Sequence, residues 1–513
     1  MDKGQLTINK FLAALFLTAV FLLLLNLAMQ KPLDHDEHQF VASGALMARD
    51  GLMMYRDYPY FHLPYLTYIY AAVFIIFDKL LFSARMISML SAFATITLVF
   101  CVSWRLFREK TEWERLLLAA GTVTLMISSP VFVHTSGYAW NHDLPMLLTL
   151  GAFLLHSQGI KRENGWAFAV VSGILLGGAV GVRLTFAPLF APFFLLPILY
   201  RKLLMKKQLY QLLIGFSAGF FLALLPAIYW LLNTPEAFWL GNFKYPELNT
   251  LFRADIGDTR AMSAFGKLLY TLEVCIQPGN LLIIAAAGFF TFRKKFLQIA
   301  LKKRETVEIV FIAVILPFLL IGVYAPTPTF KQYFYAPVFF AALAIPFGIA
   351  GFFDHFSTRA LKNFAILIGI SGIIGMTQHP DFYTLFNDNA WQPIRIHQQG
   401  SEAAAKMKNG GKVLTFSPII PLEGGLKIYP EFATGPFAWR TAKFLSAKER
   451  QRFGMISASE LPEFVSKNPP GGILTGANRR QDSRLNQFAQ KLGYKRTAIA
   501  PGVALWRPDG GGD

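Results

Sequence analysis

Apolar runs recur along the first three quarters of the chain, with short polar segments between them. A helix of about 20 apolar residues is long enough to cross a bilayer. The runs lie at residues 11–29, 63–77, 86–104, 116–133, 144–156, 166–182, 184–200, 212–232, 281–292, 309–325, 333–353 and 363–376. Several are short, so we expect tilted helices or helices that extend into flanking residues. The pattern predicts a polytopic α-helical membrane protein.

Basic residues in the short connections indicate how these helices are oriented. Clusters such as those within 105–115 and 201–207 should be cytoplasmic, because cytoplasmic connections carry the excess of Lys and Arg. With a basic, cytoplasmic N-terminus, the runs 63–77 and 86–104 cannot both cross. We assign 63–77 to an interfacial helix, because His62, a proline and three tyrosines at its start are typical of a membrane interface. The alternative is a local failure of the charge rule. About eleven spans result.

This topology places the long loops on one side, which we predict to be the extracytoplasmic face of a cell inner (plasma) membrane. They include the first outer loop, 30–84, with its interfacial helices, and the loop 233–278. We predict a transmembrane domain over 1–378 and a small extracytoplasmic α/β domain over 379–513. Short apolar stretches and Pro/Gly turns in the latter indicate strands and tight connections.

The composition agrees with a membrane protein and excludes two other classes. Of 513 residues, 54% are hydrophobic and 16% charged, which is too apolar for an ordinary soluble enzyme. The net charge of +18 lies largely in short connections, so we predict no nucleic-acid partner. The two cysteines, Cys101 and Cys275, cannot form a disulfide framework.

An acidic and imidazole-rich stretch, Asp34 to His38, directly follows the first run. Ionisable groups at a membrane face are costly and usually functional. Apolar residues after it recur with helical spacing, which predicts a helix lying on the membrane with His38, Gln39 and Arg49 turned away from it. Asp34 or Asp36 could cap this helix. The helix dipole would also keep a carboxylate ionised, as a general base requires.

A second acidic position, Asp143, follows the run 116–133 and should face the same compartment as Asp36. It could instead cap the next helix, which has Pro145 in its first turn. A divalent metal is a further hypothesis, with Asp36, Asp143, His35 and His38 as candidate ligands. Their spacing matches no zinc signature, so no cofactor is assigned.

The order of several short motifs resembles the GT-C superfamily of glycosyltransferases that use polyprenyl-phosphate sugars. Within it, the chain is similar to the protein O-mannosyltransferase and aminoarabinose-transferase type. The resemblance covers about residues 8–200, with a looser similarity at 330–350. It rests on Asp36-Glu37-x-x-Phe40, Tyr55-Arg56-Asp57, His62-Leu63-Pro64-Tyr65, Ser83-Ala84-Arg85, Asp143, Gly173-x-x-x-Gly177-x-x-x-Gly181-x-Arg183 and Lys331-Gln332-Tyr333.

The resemblance implies a transferase that moves a sugar from a polyprenyl-phosphate donor in the membrane to a cell-envelope glycan, lipid or protein. Asp36 would be the general base, and Glu37 and Asp143 would support it or orient the acceptor. Cations would stabilise the phosphate leaving group. The substrate-binding candidates are His62, Arg183, Lys244, Arg253, Arg260, Lys331 and Tyr333. The family commonly has Lys where this chain has Arg183.

Two other functions compete with this prediction. A lipid or sugar transporter, or a flippase, would lack transferase activity. Transporters usually show inverted repeats and ionisable groups near the midplane of the membrane, whereas here the acidic residues cluster at one face. A non-catalytic envelope assembly protein is the third hypothesis.

Overall fold

The computed structural model describes residues 3–291, 294–352, 358–407, 410–476 and 479–508, which are largely helical. Helices are expected in the apolar runs, because a segment in lipid must satisfy its own backbone N–H and C=O groups. The α-helices before residue 378 are α1 (Lys3–Gln30), α2 (His35–Asp50), α3 (Tyr65–Phe74), α4 (Leu80–Leu106), α5 (Glu112–Ile127), α6 (Pro130–Thr135), α7 (Asp143–Lys161), α8 (Trp166–Val182), α9 (Phe190–Leu199), α10 (Lys206–Ala223), α11 (Leu225–Asn233), α12 (Pro235–Trp239), α13 (Tyr245–Asp255), α14 (Ala264–Cys275), α15 (Pro278–Thr291), α16 (Lys294–Ala300), α17 (Val307–Tyr324), α18 (Tyr335–Phe352) and α19 (Thr358–Met376).

The chain is a multi-pass membrane protein, although the predicted eleven spans are not confirmed. Within the described residues, four helices are long and apolar enough to cross a membrane: Ile8–Gln30, Leu80–Leu106, Arg304–Tyr324 and Lys331–Gly351. Two bent pairs raise the number to six, α10 with α11 (50°) and α14 with α15 (98°). Both breaks precede a proline in the first turn of the second helix, Pro226 or Pro278, where a backbone donor is missing. The predicted spans 166–182, 184–200 and 363–376 form shorter apolar helices, whereas 116–133 and 144–156 correspond to α5, α6 and α7, which are not among the candidate spans.

Helix α3 occupies the run that we assign to the membrane interface. Its 10 residues reach about 15 Å, roughly half of the hydrocarbon thickness of a bilayer. This length is too short for a crossing and agrees with an interfacial helix. Gly44 of α2 brings the two helices close together, since a Cβ there would lie 2.8 Å from the Cβ of Tyr70.

The region after residue 378 combines helices with a four-stranded sheet of order β1-β2-β4-β3. Strand β1 (Val413–Leu414) runs parallel to β2 (Gly472–Thr475), and the other neighbours are antiparallel. The predicted apolar stretches coincide with β1 and β2, whereas the hairpin of β3 (Lys495–Ala500) and β4 (Val503–Arg507) was not predicted. The helices are α20 (Gln392–Lys406), α21 (Ile419–Glu423), α22 (Pro436–Ala442), α23 (Ala447–Phe453), α24 (Leu461–Lys467) and α25 (Arg479–Lys491).

This C-terminal region covers the polar side of α2. His38 and Gln39 are buried, and the His38 side chain lies against Gly435. Arg49 donates a hydrogen bond from Nη1 to the carbonyl oxygen of Leu422 at 2.5 Å. That His38, Gln39 and Arg49 turn away from the membrane stays a prediction. The structure adds that the C-terminal region packs on them, a layer that the sequence of α2 does not reveal.

Glycines allow α8 and α10 to pack with their backbones in contact. A Cβ on Gly173 would overlap the carbonyl oxygen of Phe216, and a Cβ on Gly219 would overlap that of Val170. A Cβ on Gly181 would overlap the ring of Tyr65 instead. Small residues spaced four apart are the usual means of close helix approach in membranes. Two glycines of the Gly-rich motif, Gly173 and Gly181, thus position α8 between α10 and α3.

Gly173→Ala should therefore destabilise the protein. The added methyl must push α8 and α10 apart, and overpacking of this kind costs about 1–3 kcal/mol. The measurement is the melting temperature of the purified protein in detergent. Gly178→Ala is the matched control on the same helix, because its Cβ would meet only the Leu148 side chain at 3.5 Å. Equal melting temperatures for the two variants would contradict the close contact.

Candidate functional site

A cavity of about 840 Å³ lies where α2, the 61–63 segment and the 138–142 loop meet α13 and α22. The 3-10 helix Leu184–Leu189 and the segment 325–333 also line it. Aromatic and apolar groups cover most of its surface, and both carboxylates and cations face into it. Such a mixture is typical of a site for a large, partly apolar ligand.

Asp34, His35 and Asp36 line one end of the cavity. Asp34 is the N-cap of α2: its Oδ1 accepts a hydrogen bond from the Asp36 N–H at 2.8 Å, as the capping prediction allowed. Burial and the neighbouring Asp36 carboxylate raise the pKa of Asp34 to about 6. His35 lies between the two carboxylates, with Nδ1 3.5 Å from Asp34 and Nε2 3.4 Å from Asp36.

Glu37 lies behind the cavity wall in a buried ion pair with Arg85. Both side chains are fully buried, and Arg85 donates from Nε and Nη2 to the two carboxylate oxygens at 2.8 and 2.7 Å. Glu37 also accepts the backbone N–H of Asp34 at 3.0 Å and that of Ala139 at 2.8 Å. Arg85 further donates to the carbonyl oxygens of Ala28, Lys31 and Pro32. This pair joins four segments of the chain and leaves Glu37 no oxygen facing a ligand.

Asp143 is likewise fully buried and lies outside the cavity lining. Its Oδ2 accepts the N–H of Gly137, and its Oδ1 accepts the hydroxyl of Tyr335, each at 2.8 Å. Asp143 therefore holds the 137–142 loop, whose side chains Asn141 and His142 do line the cavity. The placement of Glu37 and Asp143 fits a supporting role and does not fit contact with an acceptor.

Arg183, His62 and Tyr333 form the side of the cavity that adjoins the membrane helices. The Arg183 guanidinium donates to Asn141 Oδ1 at 2.7 Å and to Thr185 Oγ1 at 2.9 Å, and it lies over the Tyr333 ring. Burial and the Arg183 charge lower the pKa of His62 to about 4. His62 is therefore neutral near pH 7, with one ring nitrogen that can donate a hydrogen bond to a ligand and one that can accept a hydrogen bond from it.

The four remaining predicted cations divide into two pairs. Lys331 and Arg253 line the cavity, although Arg253 also contacts Asp258 at 2.8 Å. Lys244 and Arg260 do not line it. Lys244 is paired with Glu449 of the C-terminal region at 2.7 Å, and the exposed Arg260 is paired with Glu273. We infer that these two stabilise the outer helices.

Helix α22 supplies two cavity residues that sequence reasoning missed, Phe437 and Arg440. The Phe437 ring stacks on His35, with ring centroids 5.4 Å apart. Tyr245 of α13 also faces the cavity and accepts a hydrogen bond from Arg440. Nothing in the pattern around residues 436–442 singles out this segment. Only its place beside α2 in the fold makes these residues part of the site.

The structure brings together three of the residues that could bind a divalent metal, and it separates Asp143 and His38 from them. Among the described residues, Asp34, His35 and Asp36 present ligand atoms within 4.8 Å of one another. Asp143 is occupied by Gly137 and Tyr335, and His38 is buried against Gly435. A divalent ion would thus be bound by the three residues at the start of α2, without the other two candidates.

Comparison with known proteins places this cavity in a recognised fold. No protein-family model and no curated protein sequence matches the chain. The crystal structure of ArnT from Cupriavidus metallidurans bound to undecaprenyl phosphate matches with a TM-score of 0.59 and 12% identity, over 99% of this chain and 98% of ArnT. The apo state of the same protein matches with a TM-score of 0.58 and 12% identity, over 97% and 98%. The chain has a GT-C fold.

The GT-C fold spans nearly the whole chain, including the C-terminal region that the sequence resemblance did not cover. The motif residues occupy distinct positions within it. Asp36, His62, Arg183, Lys331 and Tyr333 face the cavity, whereas Glu37, Arg85 and Asp143 lie behind its wall. The motifs that carry the resemblance therefore include both residues that face the cavity and buried residues behind its wall.

Glu37→Gln should strongly destabilise this GT-C fold. The change leaves the Arg85 guanidinium buried without a counter-charge, and breaking a buried ion pair costs about 3–5 kcal/mol. Glu109→Gln is the matched control, because the Arg108–Glu109 pair is 80% and 84% exposed and such pairs contribute only about 0–1 kcal/mol. Melting temperatures in detergent compare the two variants. A Glu37→Gln protein as stable as the control would refute the role of this pair.

Proposed function

We propose that the protein is a membrane glycosyltransferase. It moves a sugar from a polyprenyl-phosphate donor to a cell-envelope glycan, lipid or protein, with Asp36 as the general base. The proposal rests on one observation above all: Asp36 is a cavity-facing carboxylate with no N–H or O–H donor bonded to it among the described side chains, apart from the nearby His35. Its oxygens are available to a ligand, in contrast to those of Glu37 and Asp143.

The part of the cavity around Arg183 suits the donor. Arg183 adjoins apolar residues of the 3-10 helix Leu184–Leu189 and of α17, which a lipid-linked molecule can approach from the membrane. Its guanidinium and the Lys331 ammonium can bind phosphate oxygens, the group that guanidinium geometry matches best. The undecaprenyl phosphate bound to ArnT supports a donor of this class.

The proposed reaction is a single displacement at the anomeric carbon. The acceptor hydroxyl attacks that carbon while Asp36 takes the hydroxyl proton. A new bond forms between the acceptor oxygen and the sugar, and the bond between the sugar and the phosphate oxygen breaks. Polyprenyl phosphate leaves with the bonding electrons. Arg183 and Lys331 stabilise the negative charge that develops on it, as donors aimed at a transition state do.

The charge pattern supports a proposal for the location. The basic short connections support a cytoplasmic side opposite the cavity. We therefore propose that the cavity and the C-terminal region face the extracytoplasmic side of the inner membrane, as an envelope acceptor requires. We propose the boundary between the transmembrane domain, 1–378, and the C-terminal domain, 379–513, on the same basis.

Asp36→Asn should abolish sugar transfer without unfolding the protein. A positioned base contributes about 10²–10⁴ in rate, and the amide cannot accept the proton. Purified protein is incubated with candidate polyprenyl-phosphate sugars and envelope fractions, and released polyprenyl phosphate is measured. Asp50→Asn, at the exposed end of the same helix, is the control and should retain activity. Transfer retained by Asp36→Asn would reject the assignment, and lipid movement without transfer would favour a transporter.

A divalent ion bound by Asp34, His35 and Asp36 is a second hypothesis for the same cluster. It predicts that a chelator stops the release of polyprenyl phosphate and that added Mg²⁺ or Mn²⁺ restores it, because carboxylate oxygens favour these ions. His35→Ala should then raise the metal concentration needed for half-maximal rate. Release that is unchanged by the chelator would reject the ion and leave the Asp36 base proposal standing.

A further inference from the structure

Arg440 is an unusual cation at the contact between the C-terminal region and the outer helices. Three other described cations in this contact are each paired with a carboxylate: Lys244 with Glu449, Lys443 with Asp255, and Arg452 with Glu236. Arg440 has only neutral partners among the described residues, the Tyr245 hydroxyl and Asn249 Oδ1, each 3.0 Å from Nη2. It is also the one of the four that lines the cavity.

The burial of Arg440 makes this lack of a counter-charge significant. The residue is only 8% exposed, and its Nε is buried without a hydrogen-bond partner in the described structure. Phe437 and Phe252 lie against the guanidinium, with ring centroids 4.1 and 5.2 Å from its central carbon. Cation–π contacts recover part of the desolvation cost. A buried charge nevertheless normally requires an ionic partner.

The position of Arg440 relates it to the proposed base. Phe437 contacts the Arg440 guanidinium and also stacks on His35. His35 in turn lies 3.4 Å from Asp36. One aromatic ring thus separates Arg440 from the cluster that contains the base. An anion bound by Arg440 would therefore share the cavity with the proposed base.

We propose that Arg440 of the C-terminal region binds an oxyanion of the substrate and completes the site. The inference rests on the proposed transferase function and deepens it, because it adds a second anion-binding position to that of Arg183. Arg183 also has no carboxylate partner among the described residues: its hydrogen-bond partners are Asn141, Thr185 and His142, and it too lines the cavity. Arg440 belongs to α22 of the C-terminal region and lines the same cavity.

Two substrates could supply the oxyanion. One is the phosphate of the polyprenyl donor, bound by both arginines at once. The other is a phosphate carried by the acceptor, bound by Arg440 while Arg183 binds the donor. Both phosphates are tetrahedral oxyanions that accept charge-assisted hydrogen bonds from a guanidinium. The two sources predict different responses to added ligands.

The test uses purified full-length protein in detergent, with undecaprenyl phosphate and inorganic phosphate as probes. Melting temperatures are measured against each probe, with chloride at equal ionic strength as the reference. The variants are Arg440→Gln, Arg440→Lys and, as a matched control on the same side of the contact, Lys443→Gln. Arg440→Gln should melt no lower than wild type without a probe, because it removes an uncompensated buried charge. If Arg440→Gln does not fold, probe binding is compared between wild type and Arg440→Lys.

We expect Arg440→Gln to bind the relevant probe roughly 10–100-fold more weakly than wild type, as the loss of a charged hydrogen bond implies. Arg440→Lys should lie between the two, since it keeps the charge and loses the planar fork. Lys443→Gln should bind as wild type does. Weaker binding of undecaprenyl phosphate assigns the oxyanion to the donor. Unchanged lipid binding with lost stabilisation by inorganic phosphate, at saturating undecaprenyl phosphate, assigns it to the acceptor.

Wild-type binding of both probes by Arg440→Gln, or by Arg440→Lys if only that variant folds, would overturn the inference. This outcome is distinct from failure of the proposed function, because binding is measured without any transfer. Retained transfer by Asp36→Asn would overturn the assigned base and leave the oxyanion site of Arg440 to be judged by the probes alone.

Discussion

The site depends on the buried ion pair between Glu37 and Arg85. A guanidinium in a membrane protein interior must have its charge and its donors satisfied, and the described partners are Glu37 and three backbone carbonyl oxygens. Satisfying it fixes the end of α1, the start of α2 and the start of α4 relative to one another. Glu37 adds the loop at Ala139 and closes the capping box with Asp34. The direction of the Asp36 side chain is a consequence of this arrangement.

Two adjacent acidic residues of α2, Asp36 and Glu37, consequently point in different directions. Successive side chains on a helix point about 100° apart, so Asp36 faces the cavity while Glu37 faces Arg85. The sequence placed both acids at one site, and the family resemblance implied Asp36 as the base. Neither could separate a cavity-facing carboxylate from one held in an ion pair. The ion-pair partner lies 48 residues away, and no local pattern records that contact.

The apolar periodicity of the chain predicted most of the helices before residue 378, and the basic connections led to the short helix α3. The lengths of the apolar runs could not predict that the chain bends before Pro226 and Pro278. A proline in the first turn is also common in helices that begin without a bend. The role of α22 was beyond prediction for another reason. Phe437 and Arg440 have ordinary neighbours in sequence, and their significance comes from packing against His35 and Tyr245.

The contribution of α22 also has a consequence for biogenesis. His35 and Phe437 belong to opposite ends of the described chain, yet they stack face to face on the cavity wall. Ribosomes make and release the N-terminal end first, and regions generally fold in that order. By that order, the acidic end of the cavity at α2 would form before α22 packs on it. We therefore expect the cavity to lack the wall formed by Phe437 and Arg440 until α22 has been made and has packed beside α2.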